Sequence, residues 1–179
     1  MGLDMYFYAK SREHVERIDP EDDNYKSFSK WRAKDDPTLK DETNYPEDLK
    51  ELGDYIYRIN FKSSFVEDDG FYRYQIGYFR KFNALHNYIV NELADGIDEC
   101  QEIQITKDDL YTLLDKLSRI DNDRDLAEEE LPTASGFFFG NTDYDDWYFD
   151  DVKDALEMCE LYLTKFDFDK YDLIYHASW

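Results

Sequence analysis

Cysteine is scarce in this chain, with Cys100 and Cys159 the only two among 179 residues. Two thiols cannot form the dense disulfide framework that small secreted domains use. No run of 18 or more apolar residues occurs, so no transmembrane helix is expected. The first residues, MGLDMYFYAK, lack the basic start and long apolar stretch of a signal peptide. We therefore expect a cytoplasmic protein with no membrane partner.

The motifs of common catalytic and cofactor sites are also missing. The sequence contains no GxxxxGK[ST] or GxGxxG phosphate loop and no GxSxG nucleophile turn. The zinc pairs CxxC, HxxxH and HExxH do not occur. Asp121, Asp123 and Asp125 begin like an EF-hand calcium loop, but Leu126 stands where glycine makes the turn and Pro132 where a glutamate is required. We therefore expect no metal, no cofactor and no enzymatic activity.

Basic residues are few, with 21 Lys and Arg against 43 Asp and Glu, which gives a net charge of −22. This charge disfavours direct binding to nucleic acid, because a phosphate backbone needs a basic footprint. It favours cationic partners, such as basic protein surfaces, metal ions or grooves that normally hold nucleic acid. The chain also has 16 Tyr, 13 Phe and 3 Trp, which supply apolar surface for a core or for recognition.

The hydrophobic pattern predicts an α+β fold. Strand-like alternation occurs at 3–9, 53–61, 71–79, 101–105 and 171–179. Helical spacing occurs at 80–93, at 106–120 with Thr106 as N-cap, and at 143–166 with Thr142 or Asn141 as N-cap. The prediction is one domain over 1–179, with a small mixed or antiparallel sheet that includes N- and C-terminal strands, packed by about three helices. A charged, proline-containing insertion is expected at about 10–50.

The stretch SGFFFGNTDYDDWYFDD, residues 135–151, alternates aromatic rings with aspartates. We interpret Phe137 to Phe139 as a buried strand between flexible glycines, and the aspartates that follow as the start of a helix whose N-terminal dipole favours acids. The same acids and rings, with the acidic connection before them, also form a candidate partner surface. Its predicted residues are Asp121, Asp123, Asp125, Glu128, Asp143, Tyr144, Asp145, Asp146, Trp147 and Asp150.

A small basic and polar cluster stands out in so acidic a chain. Arg80, Asn83 and His86 are three residues apart, so on a helix they would share one side. A guanidinium, an amide and an imidazole could together bind an anionic ligand, or they could serve only as structural partners of acids and backbone groups. The alternative ligand pocket predicted from the sequence contains Asp4, Arg80, Asn83, His86, Cys100, Ser135 and Thr142.

Three segments together resemble a family of small proteins from phages and prophages of mostly Gram-positive bacteria. They are MGLDMY at 1–6, GYFRKFNALHNYIVNELADGIDEC at 77–100, and LPTASGFFFGNTDYDDWYFDD at 131–151. Phe79 stands where the family pattern has tryptophan, and the chain ends in HASW where the family has Ser-Ser-Trp. Residues that match the family pattern are Gly2, Asp4, Arg80, Lys81, Asn83, His86, Cys100, Ser135, Gly136, Gly140, Thr142, Tyr144 and Trp147.

The resemblance implies a phage or mobile-element origin and a place of action in the cytoplasm of a host cell. Small, very acidic phage proteins often occupy the basic nucleic-acid channel of a host defence complex. The leading hypothesis is therefore a non-enzymatic inhibitor that binds the basic surface of an anti-phage effector, such as a CRISPR or restriction complex, by imitating nucleic-acid charge. The alternatives are a ligand-binding protein or enzyme, and an accessory phage protein whose acidic surface only keeps it in solution.

Overall fold

The computed structural model describes residues 2–14, 45–55, 64–66, 71–136 and 139–179. Its strands are β1 (Asp4–His14), β2 (Ser64–Val66), β3 (Phe71–Arg80), β4 (Ile103–Ile105) and β5 (Tyr171–Ser178). Its helices are α1 (Glu47–Tyr55), α2 (Asn83–Leu93), α3 (Lys107–Asn122), α4 (Ala127–Glu130) and α5 (Asp146–Lys165). A turn of 3₁₀-helix, Arg124–Leu126, lies between α3 and α4.

The described strands form one antiparallel sheet in the order β2-β3-β1-β5-β4. The N-terminal strand β1 is central, with β3 on one side and the C-terminal strand β5 on the other. The α+β class with N- and C-terminal strands is thus confirmed. No helix among the described residues is long and apolar enough to span a bilayer.

Side chains of β1 alternate between the two faces of the sheet, as a strand with one buried face requires. Leu3, Met5, Phe7 and Ala9 are fully buried, whereas the residues between them are partly exposed. Met5 pairs with Phe79 of β3 and Ala177 of β5, so the buried faces of all three strands coincide. Full burial of each large apolar side chain contributes roughly 1.5–3 kcal/mol, which makes this face the centre of the core.

Helices α3 and α5 form the layer against that core. α3 begins as predicted, because the Thr106 hydroxyl accepts a bond from the Asp109 N–H and the Asp109 carboxylate accepts one from the Thr106 N–H. α5 buries a stripe at intervals of three to four residues, which includes Cys159. Burial raises the pKa of the Cys159 thiol to about 12, so this residue is an inert part of the core.

A tyrosine of α5 ties the helix layer to the sheet. The Tyr162 hydroxyl donates a 2.8 Å bond to the carbonyl oxygen of Ile76 in β3. Its ring can come this close because the next residue of β3 is Gly77, whose missing Cβ would overlap the Tyr162 hydroxyl. This contact fixes the distance between α5 and the end of β3, where the candidate site lies.

Several sequence-based boundaries were wrong. Residues 53–55 belong to helix α1, although 53–61 was predicted as a strand, and the rest of that stretch lies outside the described residues. The predicted helix at 80–93 begins only at Asn83, because Arg80 still pairs with Asp4 in the sheet and Lys81 has a left-handed φ of 63°. Arg80 therefore does not share a helix face with Asn83 and His86.

Other expectations changed in detail. The N-cap of α5 is Asp145 rather than Thr142 or Asn141, because its carboxylate accepts a bond from the Tyr148 N–H. Phe139 is not part of a strand, and Phe137 and Phe138 lie outside the described residues. The predicted insertion at about 10–50 is shortened at both ends by β1 and α1, and residues 15–44 also lie outside the described part.

We expect the substitution Gly77→Ala to lower the free energy of unfolding by about 1–3 kcal/mol, because the new methyl group overlaps the Tyr162 hydroxyl and forces α5 from the sheet. Urea denaturation measures the change. Gly2→Ala is the matched control, since its methyl group would meet flexible side chains, those of Lys81 at 3.2 Å and Arg80 at 3.8 Å. Equal stabilities for the two variants would contradict this account of the contact.

Candidate functional site

A cavity of about 950 Å³ opens at one end of the sheet, between the end of β3, the start of α2, residues 133 and 140–145, and α5. Its size is typical of a ligand-binding site. The lining combines apolar rings, two cations and several carboxylates. The lining residues are Gly77, Tyr78, Phe79, Arg80, Lys81, Phe82, Asn83, Thr133, Gly140, Asn141, Asp143, Asp145, Trp147, Tyr148, Asp151, Asp154 and Met158.

The three segments that carry the family resemblance meet beside this cavity. The Lys81 N–H donates a 2.8 Å bond to the carbonyl of Leu3, which joins the N-terminal segment to the end of β3. Gly140, with a φ of 88°, lies against the Lys81 side chain, and a Cβ at this position would lie 3.3 Å from Lys81 Cβ. Glycine is thus required at 140 both by its backbone conformation and by the close approach of Lys81.

The buried amide of Asn83 holds the segment that forms one wall. Its Nδ2 donates to the carbonyls of Phe139 at 3.1 Å and Asn141 at 2.8 Å, and its Oδ1 accepts from the Ala134 N–H at 3.0 Å. Asn83 is only 3% exposed, so its own amide is satisfied by these backbone groups and not by water. The predicted ligand residue Asn83 does line the cavity, but its polar atoms serve mainly to fix the loop.

We expect Asn83→Asp to destabilise the protein by about 2–4 kcal/mol, because a buried carboxylate would face two carbonyl oxygens in place of two hydrogen bonds. Thermal or urea unfolding measures the loss, and limited proteolysis within 131–141 reports local opening. Asn91→Asp makes the same chemical change on the exposed side of α2 and should leave both measurements nearly unchanged. Similar losses in both variants would contradict the bracing role of Asn83.

Cationic and anionic groups reach the cavity from different elements. Arg80 ends β3 and Lys81 follows it, whereas Asp151 and Asp154 lie about one turn apart on α5. The Arg80 Nε is 3.7 Å from Asp4, and the Arg80 side chain remains 59% exposed. Among the described residues, no carboxylate lies within ion-pair distance of Lys81. Both cations are therefore available to an incoming group.

The carboxyl group of Asp151 lies where its charged form is disfavoured. Burial and, after it, the nearby charges of Asp154, Asp150 and Asp145 together raise its pKa to about 7. Within the described part of the chain its carboxyl group has no hydrogen-bond or ion-pair partner. Since the folded-state pKa lies above the ordinary value of 3.8, the folded protein holds this proton more tightly than the unfolded chain.

The proton that the folded protein holds on Asp151 contributes to stability at low pH. This contribution falls as pH rises between about 4 and 7. We expect Asp151→Asn to increase the free energy of unfolding at about pH 8, by on the order of 2 kcal/mol, and by less at about pH 5. Urea denaturation at the two pH values measures the difference. Asp150→Asn, an exposed neighbour on the same helix, is the control and should change stability much less. A pH dependence unchanged by Asp151→Asn would overturn this assignment.

His86, a predicted pocket residue, does not line the cavity. Its Nδ1 is 2.7 Å from the Tyr175 hydroxyl and its Nε2 is 3.1 Å from Asp98 Oδ2, and the residue is 2% exposed. The ring also packs edge-on against Phe139 and Trp179. His86 therefore joins α2 to β5 and to the turn after α2, and both of its nitrogens are occupied.

The other predicted pocket residues are also dispersed. Asp4 accepts a hydrogen bond from Tyr78 and lies near Arg80, at the edge of the site but outside the cavity lining. Cys100, Ser135 and Thr142 are exposed and line none of it. Of the seven predicted ligand residues, the cavity brings together Arg80 and Asn83. Sequence reasoning missed Asp151, Asp154 and Met158, although their spacing from Tyr148 on α5 places them near one helix face.

The predicted partner residues lie on two adjoining segments. The Arg124 Nη1 is 3.6 Å from Asp146 Oδ1, and its guanidinium lies 4.3 Å from the Phe149 ring centre, so the turn before α4 contacts the start of α5. Trp147 is 80% exposed, whereas Tyr144 is half-buried against the Tyr148 ring. The exposed acids on these segments are Asp121, Asp123, Asp125, Glu128, Asp143, Asp146 and Asp150, and Asp145 is partly buried as the helix cap.

No group of three or more histidine, cysteine or carboxylate side chains within the described ranges is arranged to hold a metal ion. No protein-family model, curated protein or solved structure shows significant similarity to the chain. The resemblance to phage proteins therefore stays a prediction, and the functional argument rests on the site itself.

Proposed function

We propose that the protein is a phage-derived inhibitor that binds the basic nucleic-acid channel of a host defence complex without catalysing a reaction. The contact surface is an acidic face, defined here as Asp121, Asp123, Asp125, Glu128, Asp143, Tyr144, Asp145, Asp146, Trp147 and Asp150. The observation that carries the proposal is that the two acidic segments touch each other, since Arg124 contacts Asp146 and Phe149, and that the exposed Trp147 lies at this same start of α5.

The spacing of the acids suits a polyanion mimic. Asp146 and Asp150 lie four residues apart on α5, which separates them by about 6 Å along the helix axis. Their backbone is held by the Asp145 cap and by packing of α5 on α3 and the sheet. A rigid row of carboxylates loses little conformational entropy when it meets a basic groove, so its charge can be used for binding.

Two kinds of interaction would act together in the complex. The net charge of −22 attracts a basic channel over long range and raises the association rate. Charge alone gives little short-range affinity, and exposed Trp147 supplies an aromatic anchor of the kind found at binding hot spots. The exposed Trp147 is flanked in the sequence by acids of α5 and its cap, which supports a protein partner over simple solubilisation.

The direct test mixes the purified protein with CRISPR effector and restriction complexes and measures binding and DNA cleavage. We expect a complex at low salt that weakens as ionic strength rises and that competes with nucleic acid. Combined Asp143→Asn, Asp146→Asn and Asp150→Asn substitutions should weaken it at least about tenfold, and Trp147→Ala should cost about 2 kcal/mol of binding free energy.

The matched control removes three exposed acids near the end of α2, by Glu92→Gln, Asp95→Asn and Glu99→Gln. Asparagine suits position 95, where φ is 53°. This variant has the same net charge as the acidic-face variant and should bind nearly as well as the original protein. Equal losses of affinity in both variants, or binding unaffected by salt, would contradict the proposal that the acidic face mimics nucleic-acid charge.

A second candidate function is the binding of a small ligand in the cavity. The observation that favours it is the 950 Å³ volume lined by Arg80, Lys81 and Asn83. A ligand that binds only the folded state raises the melting temperature in a concentration-dependent way. Arg80→Gln with Lys81→Gln, at two lining residues outside the acidic face, should remove that rise and leave binding through the acidic face intact.

A further inference from the structure

The outer edge of β3 borders the cavity and lacks a described partner strand along part of its length. Within the described ranges, β2 pairs only with Tyr72–Tyr74, so Gly77–Arg80 has β1 on one side and no strand on the other. We propose that this edge binds an extended basic peptide of the partner protein, which adds to the sheet as a further strand. The inference rests on the proposed inhibitor function and names the kind of partner segment that the protein recognises.

The cavity lies beside β3 and not on one face of it. All four residues from Gly77 to Arg80 line the cavity. Side chains of consecutive strand residues point to opposite faces of a sheet, so a space that all four residues line must lie along the strand's edge. Since β1 occupies the other side of β3, the cavity is at the outer edge.

The backbone of this edge has donors and acceptors that point into the cavity. The Lys81 N–H donates its 2.8 Å bond to Leu3, which lies just before β1. Because the N–H and C=O groups of alternate strand residues point to opposite sides, those of Tyr78 and Arg80 point away from β1. No described residue bonds to these outward N–H and C=O groups. They are the groups that an added strand pairs with.

The neighbouring Ile76 shows that α5, and not a described strand, closes the earlier part of this edge. Its carbonyl oxygen accepts the 2.8 Å bond from the Tyr162 hydroxyl of α5. Beyond Ile76 the cavity separates β3 from α5, since Met158, about one turn before Tyr162, lines it. An extended peptide of about five residues, about 17 Å long, covers the edge from Tyr78 to Arg80.

The wall opposite the edge is acidic, which favours a basic peptide. Asp143 and Asp145 line the cavity from the segment before α5, and Asp151 lines it from the helix. Asp143 and Asp145 also belong to the acidic face, so the cavity and that face form one continuous surface. A partner that brings a basic surface to the acidic face therefore also brings basic segments to this edge.

The space between the edge and the acids is apolar. Phe79, Phe82 and Met158 line it, and all three are buried. Lysine and arginine side chains can cover such surface with their methylene stems while the charged end reaches a carboxylate. Arg80 and Lys81 lie where β3 ends, so the basic side chains of the peptide are expected on the side of α5.

The probe is the hexapeptide Lys-Val-Lys-Val-Lys-Val, with blocked ends and a fluorescent label, and fluorescence anisotropy measures its binding to the unmodified protein. Two further versions carry backbone N-methyl groups at the lysines or at the valines, which removes N–H groups from opposite edges of the peptide strand. We expect one version to bind at least about tenfold more weakly than the parent and the other to bind equally well, because only one edge of the peptide faces β3. Replacement of the lysines by glutamine should also weaken binding at least about tenfold.

Amide hydrogen exchange, measured by NMR, locates the binding site on the protein. In the free protein the N–H groups of Tyr78 and Arg80 should exchange at least about a hundredfold faster than those of Phe79 and Lys81, which face β1. The parent peptide should slow exchange at Tyr78 and Arg80 and leave Phe79 and Lys81 unchanged.

A substitution tests the acidic wall. At about pH 8, Asp151→Asn should weaken binding of the parent peptide at least about threefold, because a carboxylate that faces the cavity is lost. Asp115→Asn removes the same charge from an exposed position of α3 outside the cavity and should have little effect. Circular dichroism confirms that both variants are folded.

Three outcomes would overturn the inference. Slow exchange of Tyr78 and Arg80 in the free protein means that the edge is already paired, within this chain or with a second copy. Equal affinities of the two N-methylated versions mean that charge alone holds the peptide. No binding of the parent peptide up to about 1 mM removes the strand-addition site altogether.

Failure of this inference and failure of the inhibitor function are seen in different assays. An effector complex that binds in a salt-dependent way while the peptides do not bind leaves the inhibitor and removes the strand-addition site. Peptides that bind with the expected N-methyl dependence while no effector complex binds leave the edge as a peptide site and remove the inhibitor.

Discussion

The geometry of the site depends on one buried amide. Asn83 satisfies two carbonyls and one N–H of a segment more than fifty residues away, and no other described side chain binds the Phe139 carbonyl or the Ala134 N–H. Without these bonds the segment would have no fixed position over the start of α2. The cavity wall, the approach of Gly140 to Lys81 and the direction in which the chain enters α5 all follow from this arrangement.

At the start of α5 an unpaired carboxyl group lowers the stability of the fold, whereas the buried charge of Glu130 is balanced by ion pairs. Glu130 is buried but pairs with Lys116 at 3.3 Å and Arg119 at 2.7 Å, so its charge is balanced. Asp151 has no such partner in the described structure. Among the described residues, the buried acid Glu130 is thus paired, whereas the half-buried and unpaired Asp151 lines the cavity. This contrast is the physical reason to regard the cavity as functional.

Local patterns were sufficient for much of the fold but not for the site. The Thr106 cap and the leucines at 110, 113 and 117 depend on nearest neighbours in sequence, so α3 was predicted correctly. Arg80 was assigned to a helix because nothing in the residue type of Lys81 indicates a left-handed φ. His86 was assigned to a pocket because its partners, Asp98 and Tyr175, come from other elements. Asp151 could have been predicted from its position in the sequence, next to the buried residues of α5.

The central position of β1 has a consequence for biosynthesis. This strand is made before β3 and β5 but lies between them, and Asp4 pairs with Ser178. Its hydrogen bonds on the β5 side can form only after residues 171–178 have left the ribosome, so the core cannot close before then. Contacts of such long sequence separation make folding slow. Until they form, the apolar strand β1 has an unpaired edge that can bind other chains. The high negative charge opposes aggregation at this stage, because nascent chains repel each other.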